Sequence, residues 1–402
     1  MSEEQFFELN ITRPFANSTD DYKPYVERPE TYFVPILFLM ILVIGLLGNG
    51  TLVVIFLRHR TMRNVPNTYI LSLALSDLLV LVSSVPFTSV IYTVESWPWG
   101  ELVCKISETT QDISVGVSIF TLTALSADRF FAIVDPLKKF HTSAGGRKAT
   151  SITLGIAISI WILAVILAIP AAIGTHLMYI EGPTFVLTIC YPFPRHWLGY
   201  NYPKVNVMAK FLILYIIPLT IIAIFYMNMA NHLIVSTKNV PGEMQGTQRQ
   251  IRARKKVAVT VLIFVLVFAL CFLPSHTFML FFYFNPNAQE EYNDFWHYLR
   301  IVAFCLRYLN SCANPIALYW VSGVFRKHFN RYLLCIKQKR QRCDTCQGNH
   351  GTSMSLMSSK KNQSYCTRKG KPLSISKKEQ MFGQETSITL LGNGTDNACS
   401  KM

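Results

Sequence analysis

The stretch Leu122-Thr123-Ala124-Leu125-Ser126-Ala127-Asp128-Arg129-Phe130-Phe131 closes a long apolar run with an adjacent acid and base, then turns apolar again. A membrane helix needs roughly 20 mostly apolar residues to cross the hydrocarbon layer. An acid–base pair at the end of such a helix is not what a passive anchor requires. Outward from this run, the chain carries further runs of the same kind. The candidate spans are 32–57, 69–93, 102–133, 150–173, 205–234, 255–283 and 296–320. The fold class that follows is an all-α membrane protein, a seven-transmembrane helix bundle.

Composition agrees with this reading. Apolar residues make up 51% of the chain and charged residues only 15%, which argues against a soluble globular domain of this length. The net charge of +15 would suit nucleic acid, but its placement argues otherwise. Arg58, Arg60 and Arg63 follow span one; Lys138, Lys139, Arg147 and Lys148 follow span three; Lys238, Arg249, Arg252, Arg254, Lys255 and Lys256 follow span five. The alternate loops carry Glu95, Glu101, Glu181, Glu290, Glu291 and Asp294. Lys and Arg stay on the cytoplasmic side during insertion, so the N-terminus is expected outside and the C-terminus inside. The charge is a topology signal, and no nucleic-acid partner is expected.

Met1 to Pro14 lack the basic start and apolar core of a cleavable signal, so span one is expected to direct insertion. Four parts are expected: an outer segment 1–31, the bundle 32–320, an amphipathic helix 321–335 and a disordered cytoplasmic tail 336–402. Asn10 and Asn17 head glycosylation tripeptides in the outer segment. Cys104, at the start of span three, and Cys190, in the second outer loop, are the two cysteines placed in an oxidising space. A bridge between them would pin that loop over the bundle. Cys271, Cys305 and Cys312 read as packed thiols. Cys343 and Cys346 have half of a zinc spacing, with no second ligand pair after them.

Residues 322–334 put Phe325, Phe329, Tyr332 and Leu333 on one helical face, with Arg326, Lys327 and Arg331 interleaved. That pattern is a short helix on the membrane surface after the seventh span, not another span. Cys335 follows it, either palmitoylated as a second attachment or an unmodified thiol. The Lys-, Ser-, Thr- and Gln-rich remainder has the composition of a disordered tail.

Polar groups inside spans need an account, because hydrocarbon offers them no partners. Asp77 lies in span two, with Asn49, Ser118, Asn310, Ser311 and Asn314 on neighbouring spans as possible partners. Two readings stand: an oxygen-lined pocket for a sodium ion, or a dry hydrogen-bonded network around a protonated acid. Pro86, Pro170, Pro218, Pro274 and Pro315 each free a backbone carbonyl and kink a helix, which suits a bundle with two packing states.

The ordered set of markers resembles the rhodopsin-type (class A) G-protein-coupled receptors over about residues 32–335. The markers are Gly48-Asn49, Leu73 to Asp77, Trp99 with Cys104, Asp128-Arg129-Phe130, Trp161, Pro218 with Tyr226, Phe268 to Pro274, and Asn314-Pro315. Asn310-Ser311-Cys312-Ala313-Asn314-Pro315-Ile316-Ala317-Leu318-Tyr319 is similar to the bombesin-like peptide receptors, and among those to the arthropod CCHamide receptors. Two departures stand out. Tyr319 comes four residues after Pro315 where the wider family has its Tyr at three, and Phe272 stands where that family has Trp.

The resemblance implies a cell-surface receptor for an extracellular, C-terminally amidated neuropeptide that activates a heterotrimeric G protein, of the Gq type with calcium release. It implies coupling through Asp128, Arg129, Phe130 and Tyr226, and a ligand site including Gln111, Arg307, Phe272 and His276. It also implies arrestin and receptor kinases as partners of the tail, and a plasma-membrane location. The acid that some relatives place at the inner end of span six is replaced here by Arg252-Ala253-Arg254-Lys255-Lys256. Gln111 stands where amine receptors carry an acid, which argues against a small amine. Arg307 has two possible partners, the carbonyls of a peptide or Asp77. The outer acids fit a cationic ligand or an ordinary solvated surface, and Trp97, Trp99, Phe282, Tyr283, Phe295 and Trp296 fit a ligand wall or an interfacial belt. An endothelin- or neuromedin-like receptor is the alternative within the family. An opsin would need a Lys in span seven, a secondary transporter two related halves, and an enzyme a catalytic set; none is read here. No cofactor is expected beyond sodium as a modulator.

Overall fold

The structure, a computed structural model, describes residues 27–134, 146–181, 186–194, 201–238 and 245–333. Asn10, Asn17, Cys335 and the tail lie outside these residues. Seven helices among them are long and apolar enough to cross a membrane. They are α1 (Glu30–Arg58), α2 (Val65–Ser83), α3 (Gly100–Val134), α4 (Gly146–Gly174), α5 (Tyr202–Phe211 and Ile217–Lys238, joined by a wide π turn at Leu212–Ile216), α6 (Gln245–Phe284) and α7 (Asp294–Val321). The amphipathic α8 spans Gly323–Tyr332.

Local chemistry sets several of the helix ends. The Asn64 side chain accepts from the Asn67 amide and caps α2, with Pro66 in its first turn. Asn293 caps α7 through the amides of Phe295 and Trp296, and Ser322 caps α8 through that of Phe325. At the N-terminal ends of α1 and α7, buried Glu30 meets His297 at 3.1 Å.

Span two is shorter than its apolar run. The helix stops at Ser83, and a single turn Val85–Thr88 and a 3-10 turn Ser89–Tyr92 replace its expected outer end at residue 93. Pro86 has no N–H to continue the ladder. The Ser84 hydroxyl holds the bend by meeting Ser107 Oγ at 2.8 Å and Tyr308 Oη at 3.1 Å. The π turn in α5 sits immediately before Pro218, where the same missing donor loosens the ladder. Pro170, Pro274 and Pro315 lie inside helices that continue past them.

The loop between α4 and α5 forms a two-stranded antiparallel hairpin, β1 (His176–Glu181) and β2 (Val186–Tyr191), with Leu177 opposite Cys190. The sequence reading placed a loop here and named no strands in it. Cys104 and Cys190 form a disulfide that ties β2 to the start of α3. Trp97 adds a second tie, its amide donating to the Thr188 carbonyl at 2.8 Å.

Burial orders the helices. In α2 and α7, 56% of the most apolar window is buried, against 28% in α4 and α5. The former pair is therefore central and the latter lipid-facing. Exposed Ile158, Ile162, Ile166, Ile217, Ile221 and Ile224 fit that outer surface. The core runs from Leu52 and Ile55 through Leu73, Ile119, Leu122 and Leu125 to Phe264 and Phe268, and reaches Phe325 and Phe329 of α8. Gly48 permits a close approach, since a Cβ there would lie 2.7 Å from Pro315. Trp161 donates to Ser72 Oγ at 3.0 Å and fastens α4 to α2.

Candidate functional site

Three polar layers are stacked along the inside of the bundle. The outermost is built on one face of α3, where Glu108, Gln111 and Asp112 fall within four residues of one another. Gln111 is buried; its Nε2 donates to the Ser107 carbonyl at 3.3 Å and approaches Glu108 Oε1 at 3.5 Å. Arg307 of α7 reaches across to it, with Nη1 donating to Gln111 Oε1 at 3.3 Å and Nη2 to Ser275 Oγ of α6 at 2.7 Å. One guanidinium thus joins α3, α6 and α7. On the other side, Lys210 of α5 pairs with Asp112 at 2.7 Å.

Arg307 therefore engages Gln111 and Ser275, and no contact between it and Asp77 is present among the described residues. Glu108 makes no ion pair among them either. Phe272 is buried against Phe268, with ring centres 4.5 Å apart, and His276 lies between Phe211 and Tyr215 at 5.4 and 4.7 Å. Glu108, Asp112, Lys210 and Ser275 were missed by the sequence reading. Three of them are ionisable groups inside apolar runs, the same signal that singled out Asp77.

A small cavity below this layer is lined by Gln111, Ser114, Ser118, Phe272, Arg307, Asn310 and Ser311. It leads toward the middle layer, where Asp77 is wholly buried. Asn314 Nδ2 donates to Asp77 Oδ2 at 2.9 Å, and Asn49 Nδ2 donates to the Ser311 and Gly45 carbonyls. Asp77 Oδ1, Ser118 Oγ and Asn49 Oδ1 are buried with no hydrogen-bond partner among the described residues. Unsatisfied buried oxygens are costly, and oxygens are what a hard cation takes as ligands. Asn314 bonds Asp77 directly, and Ser118, Asn310 and Ser311 line the cavity above; oxygens of these kinds are the ligands the sodium reading calls for.

The inner layer holds the acid–base pair. Arg129 is buried, and both its Nε, at 3.0 Å, and its Nη2 donate to Asp128 Oδ2. Phe130 stacks on Phe225 of α5 at 5.2 Å. The Tyr226 hydroxyl donates to the Ala258 carbonyl of α6 at 2.8 Å, tying α5 to α6 beside the pair. The side chains of Arg252 and Arg254 lie outside the described residues.

At the mouth, the aromatic ring divides. Trp97 is buried with its indole N–H on the Gly100 carbonyl, and Tyr283 packs on Phe193 below the hairpin. Trp296 stacks on Phe281, while Trp99 and Phe295 are exposed. Glu95, Glu290, Glu291 and Asp294 are exposed, and Glu291 accepts from Asn285 at 2.7 Å.

This stacking of outer cavity, buried acid and inner ion pair coincides with a family match. Residues 48–319 match the model of the seven-transmembrane receptors of the rhodopsin family. The chain is 54% identical over 398 residues to the neuropeptide CCHamide-1 receptor of Drosophila melanogaster, covering 98% of this chain and 77% of that protein. It is 37% identical over 327 residues to bombesin receptor subtype-3 of Ovis aries, covering 80% and 79% respectively. The chain belongs to the rhodopsin family of seven-transmembrane receptors, a family of membrane receptors rather than enzymes.

Proposed function

We propose that this chain is a plasma-membrane receptor for an extracellular CCHamide-type neuropeptide with an amidated C-terminus. Its N-terminus is outside, and its inner face activates a Gq-type G protein with calcium release. The basic inner loops support that orientation, and the names of both relatives support a peptide ligand. Arrestin and receptor kinases are the proposed partners of the tail, Asn10 and Asn17 the proposed glycosylation sites, and Cys335 the proposed palmitoylation site.

The observation that carries the reading is the three-helix tie of Arg307, Gln111 and Ser275 at the floor of the outer cavity. A terminal amide both donates and accepts. It can donate to Gln111 Oε1 and accept from Arg307, taking over both ends of that tie. A terminal carboxylate offers no donor to Gln111 and meets Glu108, which forms no ion pair among the described residues. Releasing Arg307 from Ser275 removes one tie between α6 and α7, and α6 is the helix that holds Tyr226 at the inner end. Phe272, buried one turn below Ser275, transmits that movement to Phe268 and the inner core.

The test is calcium release from cells expressing the chain, titrated with synthetic CCHamide-1 as the amide and as the free acid. An unmatched hydrogen bond at a buried partner costs about 1–3 kcal/mol, so the acid is expected to be at least about tenfold weaker. Gln111→Ala is expected to narrow that ratio. Equal potency of the two forms on the unsubstituted receptor would mean that the ligand's end does not reach Gln111.

A further inference from the structure

The outer half of α3 carries the acids Glu101, Glu108 and Asp112. Lys105 stands three residues before Glu108, but it pairs with Glu101 instead. Lys210 of α5 occupies both oxygens of Asp112, at 3.0 and 2.7 Å. Glu108 is partly exposed and forms no ion pair among the described residues.

Across the cavity the opposite charge is also left over. Arg307 donates only to neutral oxygens among the described residues, Gln111 Oε1 at 3.3 Å and Ser275 Oγ at 2.7 Å. The buried amide of Gln111 stands between the two charges, its Oε1 toward Arg307 and its Nε2 toward Glu108 Oε1 at 3.5 Å. A carboxylate and a guanidinium thus flank one neutral side chain. A ligand that matches both presents a cation on the Glu108 side and an acceptor on the Arg307 side.

We propose that Glu108 selects the charge of the ligand's last residue. A cationic side chain on that residue seats on Glu108 while the amide carbonyl of the same residue accepts from Arg307. One residue reaches both, because only the Gln111 amide separates them. This rests on the reading of an amidated end at Gln111 and Arg307, and adds to it the charge of the residue that carries the amide.

The energetic reason lies in what binding does to Glu108. A peptide seated over this layer takes the carboxylate out of water, and a carboxylate left there without a partner carries its full desolvation cost. A cationic side chain offsets that cost with charge-assisted hydrogen bonds, which are stronger than neutral ones. A neutral side chain of the same shape leaves the cost standing. Arg307 meets the carbonyl on the far side of Gln111, and Lys105 and Lys210 are held by their own acids, so the ligand supplies the missing charge.

The test is competition binding against labelled synthetic CCHamide-1 on membranes from cells expressing the full-length receptor. The competitors are four amidated analogues of that peptide ending in arginine, citrulline, glutamate or glutamine. Citrulline has the shape of arginine without its charge, and glutamine that of glutamate. On the unsubstituted receptor the arginine analogue is expected to bind about tenfold or more tighter than the citrulline analogue. E108Q is expected to bring that ratio near one, with the citrulline analogue binding no more weakly than before. E108K is expected to favour the glutamate analogue over the glutamine one, and E108Q alone decides the matter if E108K does not reach the surface. A peptide's N-terminal amine carries the same charge, and N-acetylation is expected to leave every ratio unchanged. Each ratio is taken within one receptor and one form of the peptide, so it does not depend on expression level. Equal affinity of amide and acid forms would overturn the amide reading, whereas an arginine-to-citrulline ratio of one on the unsubstituted receptor, or a ratio that survives E108Q, overturns this one.

Discussion

Asp77 is a single residue on which two physical arrangements diverge. Its Oδ2 is satisfied by Asn314, while Oδ1 and the nearby Ser118 Oγ have no partner among the described residues. If an ion seated there binds the resting packing better than the active one, agonist and sodium oppose each other by linkage. Agonist affinity is expected to fall by about fivefold or more as sodium replaces a bulky organic cation at constant ionic strength. Asp77→Asn is expected to abolish that dependence. Radioligand competition in the two salts measures it, and a wild-type affinity indifferent to sodium would favour the dry network. Arg307 is instructive at the same scale. Sequence left it two possible partners, and its position on α7 suits both; the side-chain reach to Gln111 and Ser275 became visible only with α3 and α6 in place.

Among the elements, the hairpin β1–β2 depends most on a single link. The Cys104–Cys190 disulfide links residues 86 apart in the chain, and in the chain-entropy account a cross-link over a loop of that size is worth about 4–5 kcal/mol. Cys190→Ala is expected to abolish surface expression or peptide binding, as read by surface labelling and saturation binding on the same cells. Saturable binding at wild-type affinity would show that Trp97 and the strand pairing hold the hairpin without the bridge. The cysteine pair was legible from compartment alone, but the strands were not. Short strands of mixed polarity between two spans carry little periodicity, and their pairing depends on the tether to α3. Span two shows the opposite failure: its apolar run continues through Pro86, but the helix ends at Ser83 because hydropathy does not register a missing donor.

Across the whole molecule, an outer event must reach an inner surface. The path available is α6, fastened to α7 by Arg307 and Ser275 near its outer end and to α5 by Tyr226 near its inner end. Arg129 waits beside that inner end, buried against Asp128. Arg129→Ala is expected to keep peptide binding while agonist-stimulated nucleotide exchange on the G protein falls to the unstimulated rate. Exchange assays on receptor-containing membranes measure it, and persistence at the wild-type rate would remove Arg129 from coupling. With Arg252-Ala253-Arg254-Lys255-Lys256 in place of an acid in the inner part of α6, Arg129 is restrained among the described residues by Asp128, and the helices around it by the packing of Phe130 on Phe225 and the Tyr226–Ala258 hydrogen bond.

The sequence by itself determined the seven spans, the amphipathic helix, the cysteine pair and the residues around Asp77. These follow from length, hydropathy, helical spacing and the cost of charge in hydrocarbon, all of which are local or one-dimensional quantities. Tertiary structure alone decided what Arg307 bonds, that Lys210 pairs with Asp112, and that Ser84 holds the bend in span two. Each of these joins residues on different helices, and helical periodicity fixes which face a side chain occupies but not which neighbouring face comes to meet it.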